Sequence, residues 1–439
     1  MKKNILFIVF ILATIANFCP IHAQVETTTK SCLLVNGYLH VGTGEVLESA
    51  LIGIKNGKIS LVKNALTYAY TRSDWDTIID VQGQHIYPGF IAPNSTLGLT
   101  EIDAVRATRD FEEVGQFNPH VRSQIAFNVE SKVISTVRTN GVLMAQATPR
   151  GGDISGTSSI MALDGWNWED ATIHKNDGIH VNWPSSLQGG GWWAEPSPKK
   201  RNENYEKQKQ SLYRFFEIAQ AYASSKAEKE QRLEAMVDCF GGKKRVYFHA
   251  NELQQLLDIV DFARHFDLSY PVIVGGYDSH LLADILKDAK IPVMLVRTHS
   301  LPENEDDPID SPFSLAHKLQ TAGVLYCLQN EGDMETMNAR NLPFQAGTAM
   351  AYGLTEEQAV QSITLNTAKI VGIDKEYGSI EVGKSATLFV SRGNALDMRT
   401  NHLTFGMIRG VFLPLGNFQE DLYHKYNMKN GKSNHTKQK

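Results

Sequence analysis

The 439-residue chain is poor in cysteine, with four in all. Cys19 lies in a leading apolar segment. Cys32, Cys239 and Cys327 are far apart and lack the close spacing of a metal knuckle. An odd number of separated thiols argues against a disulfide framework, so three buried free thiols are expected. Excess positive charge is missing too: 43 Lys and Arg face 48 Asp and Glu, for a formal charge of −5. No basic face is implied, and nucleic acid is not an expected partner. Beyond the leading segment no apolar run reaches the roughly 20 residues needed to cross a bilayer, so no membrane span is expected. No internal repeat is visible.

What is present begins with Met1–Ala23. Lys2 and Lys3 form a charged start, Ile5 to Ala16 is almost unbroken apolar sequence, and Ala23 is a small residue suited to cleavage. This reads as a secretory signal peptide. Phe18 before Cys19 is too bulky for a lipoprotein signal. An exported protein, periplasmic or secreted, is expected. The remaining length suits one large domain plus a smaller one.

Residues 24–86 carry strand signals. Leu33, Val35, Tyr38 and Leu39 surround Asn36-Gly37, and Ile52, Ile54, Ile59 and Leu61 flank Asn56-Gly57. Asn-Gly between apolar runs predicts hairpin turns, because both turn positions need φ > 0. Residues 376–416 are similar, with a short strand at Ala386–Val390 and a turn at Arg409-Gly410. Two β segments bracketing the chain suggest one discontinuous domain. Residues 87–375 alternate instead. Strand runs at Val142–Ala147, Arg245–His249, Pro271–Val274, Pro292–Val296 and Val324–Leu328 are separated, from the second onward, by helix-length amphipathic stretches such as Leu253 to Ala263. That repetition predicts a parallel sheet with right-handed crossovers, and a (β/α)₈ barrel fits the length best. Residues 150–240 are irregular, with a charged helix expected near 202–237. Residues 417–439 form a polar tail, expected to be disordered from Asn427 onward.

The β text meets the alternating text at Pro88-Gly-Phe-Ile-Ala-Pro-Asn-Ser-Thr96. This stretch resembles the first barrel strand of the amidohydrolase superfamily, which usually reads Pro-Gly-Phe-Ile-Asp-x-His-x-His. Asn366-Thr-Ala368, Gly372 and Gly378-Ser-Ile-Glu-Val-Gly-Lys384 are similar to its imidazolonepropionase-like members, and Gly151-Gly-Asp-Ile-Ser-Gly156 to exported ones. The resemblance implies a (β/α)₈ TIM-like barrel with a composite β-sandwich formed by both ends of the chain. It also implies hydrolysis of a carbon–nitrogen bond, other than a peptide bond, in a small cyclic amide or related substrate. Zinc or another divalent metal is the implied cofactor.

The departures lie where the family keeps its metal ligands. Asn94 and Thr96 stand at the two first-strand histidine positions, and Ala92 at the Asp position. An amide oxygen and a hydroxyl suit hard cations better than zinc. No strand-four lysine can be assigned. Gly275-Gly276 stands near the strand-six histidine position, and His280 is too far along to replace it. His249 falls at the strand-five ligand position and is the candidate metal ligand. After strand eight, Asn330 or Glu331 is closest to the family Asp, and Glu331 and Asp333 are the candidate catalytic carboxylates. Each has a plainer reading. His249 fits a hydrogen-bonded histidine in a packed barrel mouth, and Asn-Glu-Gly-Asp is ordinary turn text.

Three further groups draw notice. Asp103, Arg106 and Asp110 would share one helical face as exposed ion pairs. Trp166, Trp168, Trp183, Trp192 and Trp193 suit either core packing or a cleft or interface. Glu303, Glu305, Asp306 and Asp307 look like a solvated acidic loop. Two functions stay open: a hydrolase whose metal site is largely lost, or a catalytically silent member that binds a ligand or partner. The partners left open are a small-molecule substrate or ligand, a second copy in a homo-oligomer, and a tandem amidohydrolase.

Overall fold

The computed structural model describes residues 31–429, apart from 190, 193–194, 197, 226–227 and 243. The signal-peptide reading, Cys19, Trp193 and the last ten residues lie outside this set.

The first sheet has eight strands. Across it run Val411–Phe412, Leu403–Ile408, Leu388–Ser391, His85–Pro88, Cys32–His40, Val46–Lys55 and Lys58–Asn64, with Thr77–Asp80 also pairing on Cys32–His40. The two ends of the chain join where Leu388 lies opposite Pro88 and Val390 opposite Ile86, in an antiparallel pair. Leu34, Leu39, Ile52, Ile54, Ile86, Leu388, Val390 and Met407 form its apolar core.

The two Asn-Gly pairs diverge. Asn56-Gly57 is the turn between Val46–Lys55 and Lys58–Asn64, with φ of 52° and 74°. Asn36-Gly37 is no hairpin: Cys32–His40 runs straight through it as one strand. Asn36 has φ of 60°, and the pairing register shifts between Leu34 and Gly37, so the dipeptide makes a bulge. Gly37 fits because a Cβ there would meet Ile86 Cδ1 at 2.3 Å.

Gly89 is the joint between the sheets. It separates His85–Pro88 in the first from Phe90–Ser95 in the second. Its amide donates to the Thr387 carbonyl (3.0 Å), and an added Cβ would lie about 3.0 Å from Leu143 and Thr387. Glycine at this joint therefore spares a tight contact between the sheets. Phe90 and Phe389 meet edge to face across this joint, with centroids 4.9 Å apart.

The second sheet curves nearly into a barrel. Its strands, in spatial and chain order, are Phe90–Ser95, Val142–Ala147, Ile154–Ala162, Thr172–Asn182, Arg245–Ala250, Pro271–Gly275, Val293–Leu295 and Tyr326–Leu328. Ile154–Ala162 runs antiparallel to both neighbours. The (β/α)₈ barrel expected for residues 87–375 is therefore not followed between 142 and 182, part of which reads as irregular, because antiparallel connections stand there in place of crossover helices. Among the described residues the two end strands do not pair. Asn94 Nδ2 bonds Gln329 Oε1 across that seam (2.6 Å), and the Ile91 amide reaches the Ile363 carbonyl (3.0 Å).

Ile91, Met144, Ile160, Tyr247, Val272, Val274, Met294 and Cys327 fill the bore, with Ala368 and Ile370 of the helix Leu365–Val371 packed against them. The opposite face of the sheet buries Phe248, Ile273 and Val293 against helices such as Leu253–His265, whose Leu256, Ile259 and Phe262 are buried. That helix starts on a Glu252/Gln255 capping box.

Other expectations change. The expected charged helix is two, Tyr205–Ser225 and Gln231–Phe240. Asp103, Arg106 and Asp110 share no helix, because the chain there is loop with a single turn at Arg106–Thr108. The polar tail holds a helix, Phe418–Lys429. Cys32, Cys239 and Cys327 are free and buried.

Candidate active site at the barrel mouth

The mouth is the end of the second sheet where its parallel strands finish. Alternation along a strand brings every second side chain to one face. Met144 and Tyr247 lie in the bore, so Gln146 and His249 share their face one step nearer the mouth. Gln329 follows Cys327 in the same way.

These side chains form one connected polar network. His180, on Thr172–Asn182, is fully buried. Its Nδ1 lies 2.9 Å from His249 Nε2, and its Nε2 lies 2.9 Å from Ser158 Oγ. The Ser158 hydroxyl donates to Asp177 Oδ1 (2.8 Å). Asp177 Oδ2 accepts from the Tyr247 hydroxyl (2.6 Å) and from Gln146 Nε2 (2.9 Å). On the other side, His249 Nδ1 stands 3.8 Å from Glu331 Oε1, within ion-pair range but beyond a hydrogen bond. The Glu331 side chain keeps 39% of its surface exposed, so the chain of contacts ends at solvent.

Asn94 and Thr96 are both committed within the protein. Asn94 adopts φ of 49°, a left-handed conformation that asparagine tolerates better than most residues. Its amide donates to Gln146 Oε1 (2.9 Å) and its Nδ2 to Gln329. Its Oδ1 and carbonyl oxygen accept from the two terminal nitrogens of Arg150, at 2.5 and 2.8 Å. The Thr96 amide and hydroxyl both donate to Glu335 Oε2, at 2.7 and 2.8 Å.

Electrostatics sort these groups by role. Burial drives the His180 imidazole well below its usual pKa, and His249 and Arg150 push the same way. Burial also lowers His249, against an opposing pull from Glu331. Burial alone would raise Glu331, but His249 and Arg150 more than offset it and hold the carboxyl down to about 2. At neutral pH this leaves two neutral imidazoles beside an ionised Glu331. Asp177 and Glu335 behave oppositely: burial raises both, despite the hydrogen bonds they accept.

A hydrolytic zinc needs about three protein ligands and an open position. Among the described residues no group of three or more His, Cys, Asp or Glu side chains could hold a metal ion. The Asn94 oxygens already face a guanidinium, and the Thr96 hydroxyl is spent on Glu335. The donor set does not fit the implied metal.

The structure brings together His249 and Glu331. Asp333 is exposed, and its backbone carbonyl accepts from Arg297 and Asn338. His280 bonds the Tyr277 carbonyl in a separate turn. Trp183 is buried against Phe248 and Phe262, whereas Trp166 is 86% exposed, so these two tryptophans line no common cleft. Asp307 of the acidic loop accepts from the Tyr277 hydroxyl (2.7 Å). Sequence reading missed His180, Asp177, Tyr247 and Arg150. Tyr247 and His249 sit at i and i+2 in one strand, and that pattern alone could have marked Tyr247. Arg150 follows a strand end, the rim where barrel sites are built.

The amidohydrolase family model matches residues 226–420. An imidazolonepropionase of Flavobacterium psychrophilum is 32% identical over 85 residues, covering 19% of this chain and 21% of the relative. One from Parabacteroides distasonis is 27% identical over 104 residues, covering 24% and 25%. The matched stretch thus spans about a quarter or less of each curated relative. An amidohydrolase structure from Thermotoga maritima superposes with a TM-score of 0.70 at 23% identity, covering 87% of this chain and 99% of that one. The sequence matches support the amidohydrolase superfamily, and the Thermotoga maritima structure shares the fold.

Proposed function

We propose that this protein hydrolyses a carbon–nitrogen bond, other than a peptide bond, in a small cyclic amide or related molecule, at a barrel mouth that no longer carries the family's metal pair. The observation that carries this reading is the pairing of neutral His249 with ionised, solvent-open Glu331. Similarity to proteins named imidazolonepropionase supports a small-molecule substrate. A silent binding protein has no need of such a pair, and nothing else in the mouth favours that alternative.

In the proposed reaction Glu331 accepts a proton from water as the water oxygen attacks the substrate carbonyl. The carbon–nitrogen bond then breaks, and the proton passes to the leaving nitrogen. One water is consumed, and a cyclic substrate opens to one product that carries both the new acid and the freed nitrogen. Arg150 helps to hold Glu331 ionised beside His249. His180, held by Ser158 and thus by Asp177, fixes the His249 ring.

The test is turnover of hydantoins, dihydropyrimidines, imidazolones and lactams by the purified protein, with and without chelator. Activity that survives chelation and falls about 10²–10⁴-fold in His249→Ala is expected. Absence of turnover across the panel, or full activity in His249→Ala, would overturn the reading. Export is likewise proposed, on Met1–Ala23 alone. Amino-terminal sequencing of protein from fractionated cells should start after Ala23, and an intact Met1 on cytoplasmic protein would sink that proposal.

A further inference from the structure

Arg150 lies three residues beyond the strand Val142–Ala147, and its guanidinium turns into the mouth. One terminal nitrogen bonds the Asn94 side-chain oxygen and the other the Asn94 carbonyl. Two contacts to one residue fix both the position and the plane of the cation. Asn94 is in turn pinned by Gln146 and Gln329, each buried. The guanidinium is therefore held by the barrel wall, not by a flexible partner. Its charge acts on His180, His249, Glu331 and Glu335 together.

The oxygen that Asn94 would turn toward a metal is turned toward Arg150. Arginine stays protonated throughout the accessible pH range, so this positive charge cannot be titrated away. A divalent ion entering the mouth would meet a fixed like charge in a partly dry site, where repulsion is weakly screened. A guanidinium also carries five N–H donors, and Asn94 uses only part of that set.

We propose that Arg150 is the resident cation of this site: it excludes divalent metal from the mouth and presents positive charge to the carbonyl oxygen of the substrate. The first half stands on the geometry of Arg150 and Asn94 alone, and the second rests on the hydrolase reading above. As water attacks, the carbonyl oxygen gains negative charge. A preorganised cation lowers the barrier by stabilising that charge where it develops.

Metal binding tests the first half without any substrate. The full chain and its Arg150→Lys, Arg150→Met, Asn94→His and Asn94→His/Arg150→Met variants are dialysed against micromolar zinc or manganese and analysed for bound metal. Wild type, Arg150→Lys and Asn94→His should retain under about a tenth of an equivalent, and Asn94→His/Arg150→Met about one equivalent. Arg150→Met alone should bind at least about tenfold more tightly than Arg150→Lys. That pair decides the matter if the double variant does not fold. Stoichiometric metal on wild type at the mouth, lost in His249→Ala, overturns the proposal. So does equal affinity in Arg150→Met and Arg150→Lys.

Kinetics test the second half. Arg150→Met should lower kcat about 10²–10³-fold with KM little changed, and Arg150→Lys should restore part of it. Full kcat in Arg150→Met overturns the catalytic role. If no substrate is turned over at all, the hydrolase reading fails while the metal titrations still decide whether Arg150 keeps metal out.

Discussion

The lower bore and the mouth of the second sheet are built from the same strands, yet they are chemically opposite. Met144 gives way to Gln146, Tyr247 to His249, and Cys327 to Gln329, each two residues along one face. Below, Val272, Val274 and Met294 make a dry plug. Above, buried polar groups are tied into a network by hydrogen bonds of 2.6–2.9 Å, such as Tyr247 to Asp177 and Gln146 to Asp177. The lower layer gains stability from area removed from water. The upper layer gains little net, because its hydrogen bonds replace bonds to water, but it suffers heavily if one partner is removed. Cost in the mouth without matching gain is what a site looks like, since function rather than stability accounts for it.

Truncation in the plug gives the sharpest contrast. Met144→Ala should cost about 2–5 kcal/mol in chemical denaturation and leave chelator-resistant turnover per folded molecule within about twofold. A stable Met144→Ala with altered turnover would mean that the two layers are not separate. Tyr247→Phe probes their boundary, because the ring sits in the bore while its hydroxyl serves Asp177. A cost of about 1–3 kcal/mol is expected from the lost bond to a buried carboxylate, whose Oδ2 keeps Gln146 as a donor; no cost would show that water replaces the phenol.

The smallest effect concerns pH. The folded pKa of His180 lies below the ordinary 6.5, so between those values the unfolded chain binds the proton that the folded chain refuses. Its contribution is complete above pH 6.5 and is lost as pH falls. The expected slope is up to about 1.4 kcal/mol per pH unit, read from denaturation midpoints between pH 7 and 5. His180→Gln should flatten it. A slope unchanged in that variant would remove His180 from the network.

Legibility followed how local each signal is. Pro88-Gly89-Phe90 could be read because a glycine is favoured wherever two sheets pack within reach of its Cβ. Leu253–His265 could be read because its apolar period and capping residues are adjacent in sequence. The antiparallel strand Ile154–Ala162 could not. It is buried throughout, and its text of Ser, Thr and Gly carries no alternation that would give a direction. Asn36-Gly37 and Asn56-Gly57 share letters and the left-handed asparagine, but Gly57 has positive φ where Gly37 does not, and they differ in what the following strand pairs with.

The sequence by itself determined the family resemblance, the apolar faces that make the sheets, the free thiols, and the presence of Asn94 and Thr96 where that resemblance implies histidines. These rest on residue identity and short-range period, both written along the chain. It also singled out His249 and Glu331 by position. Only the tertiary structure set Glu331 beside His249 and left Asp333 in solvent, since one residue of loop geometry separates them. Only the tertiary structure brought His180, Asp177 and Tyr247 into one network and turned Arg150 onto Asn94. Those contacts span up to 70 residues, between Asp177 and Tyr247. Such contacts are fixed by strand order and register, which no local pattern encodes.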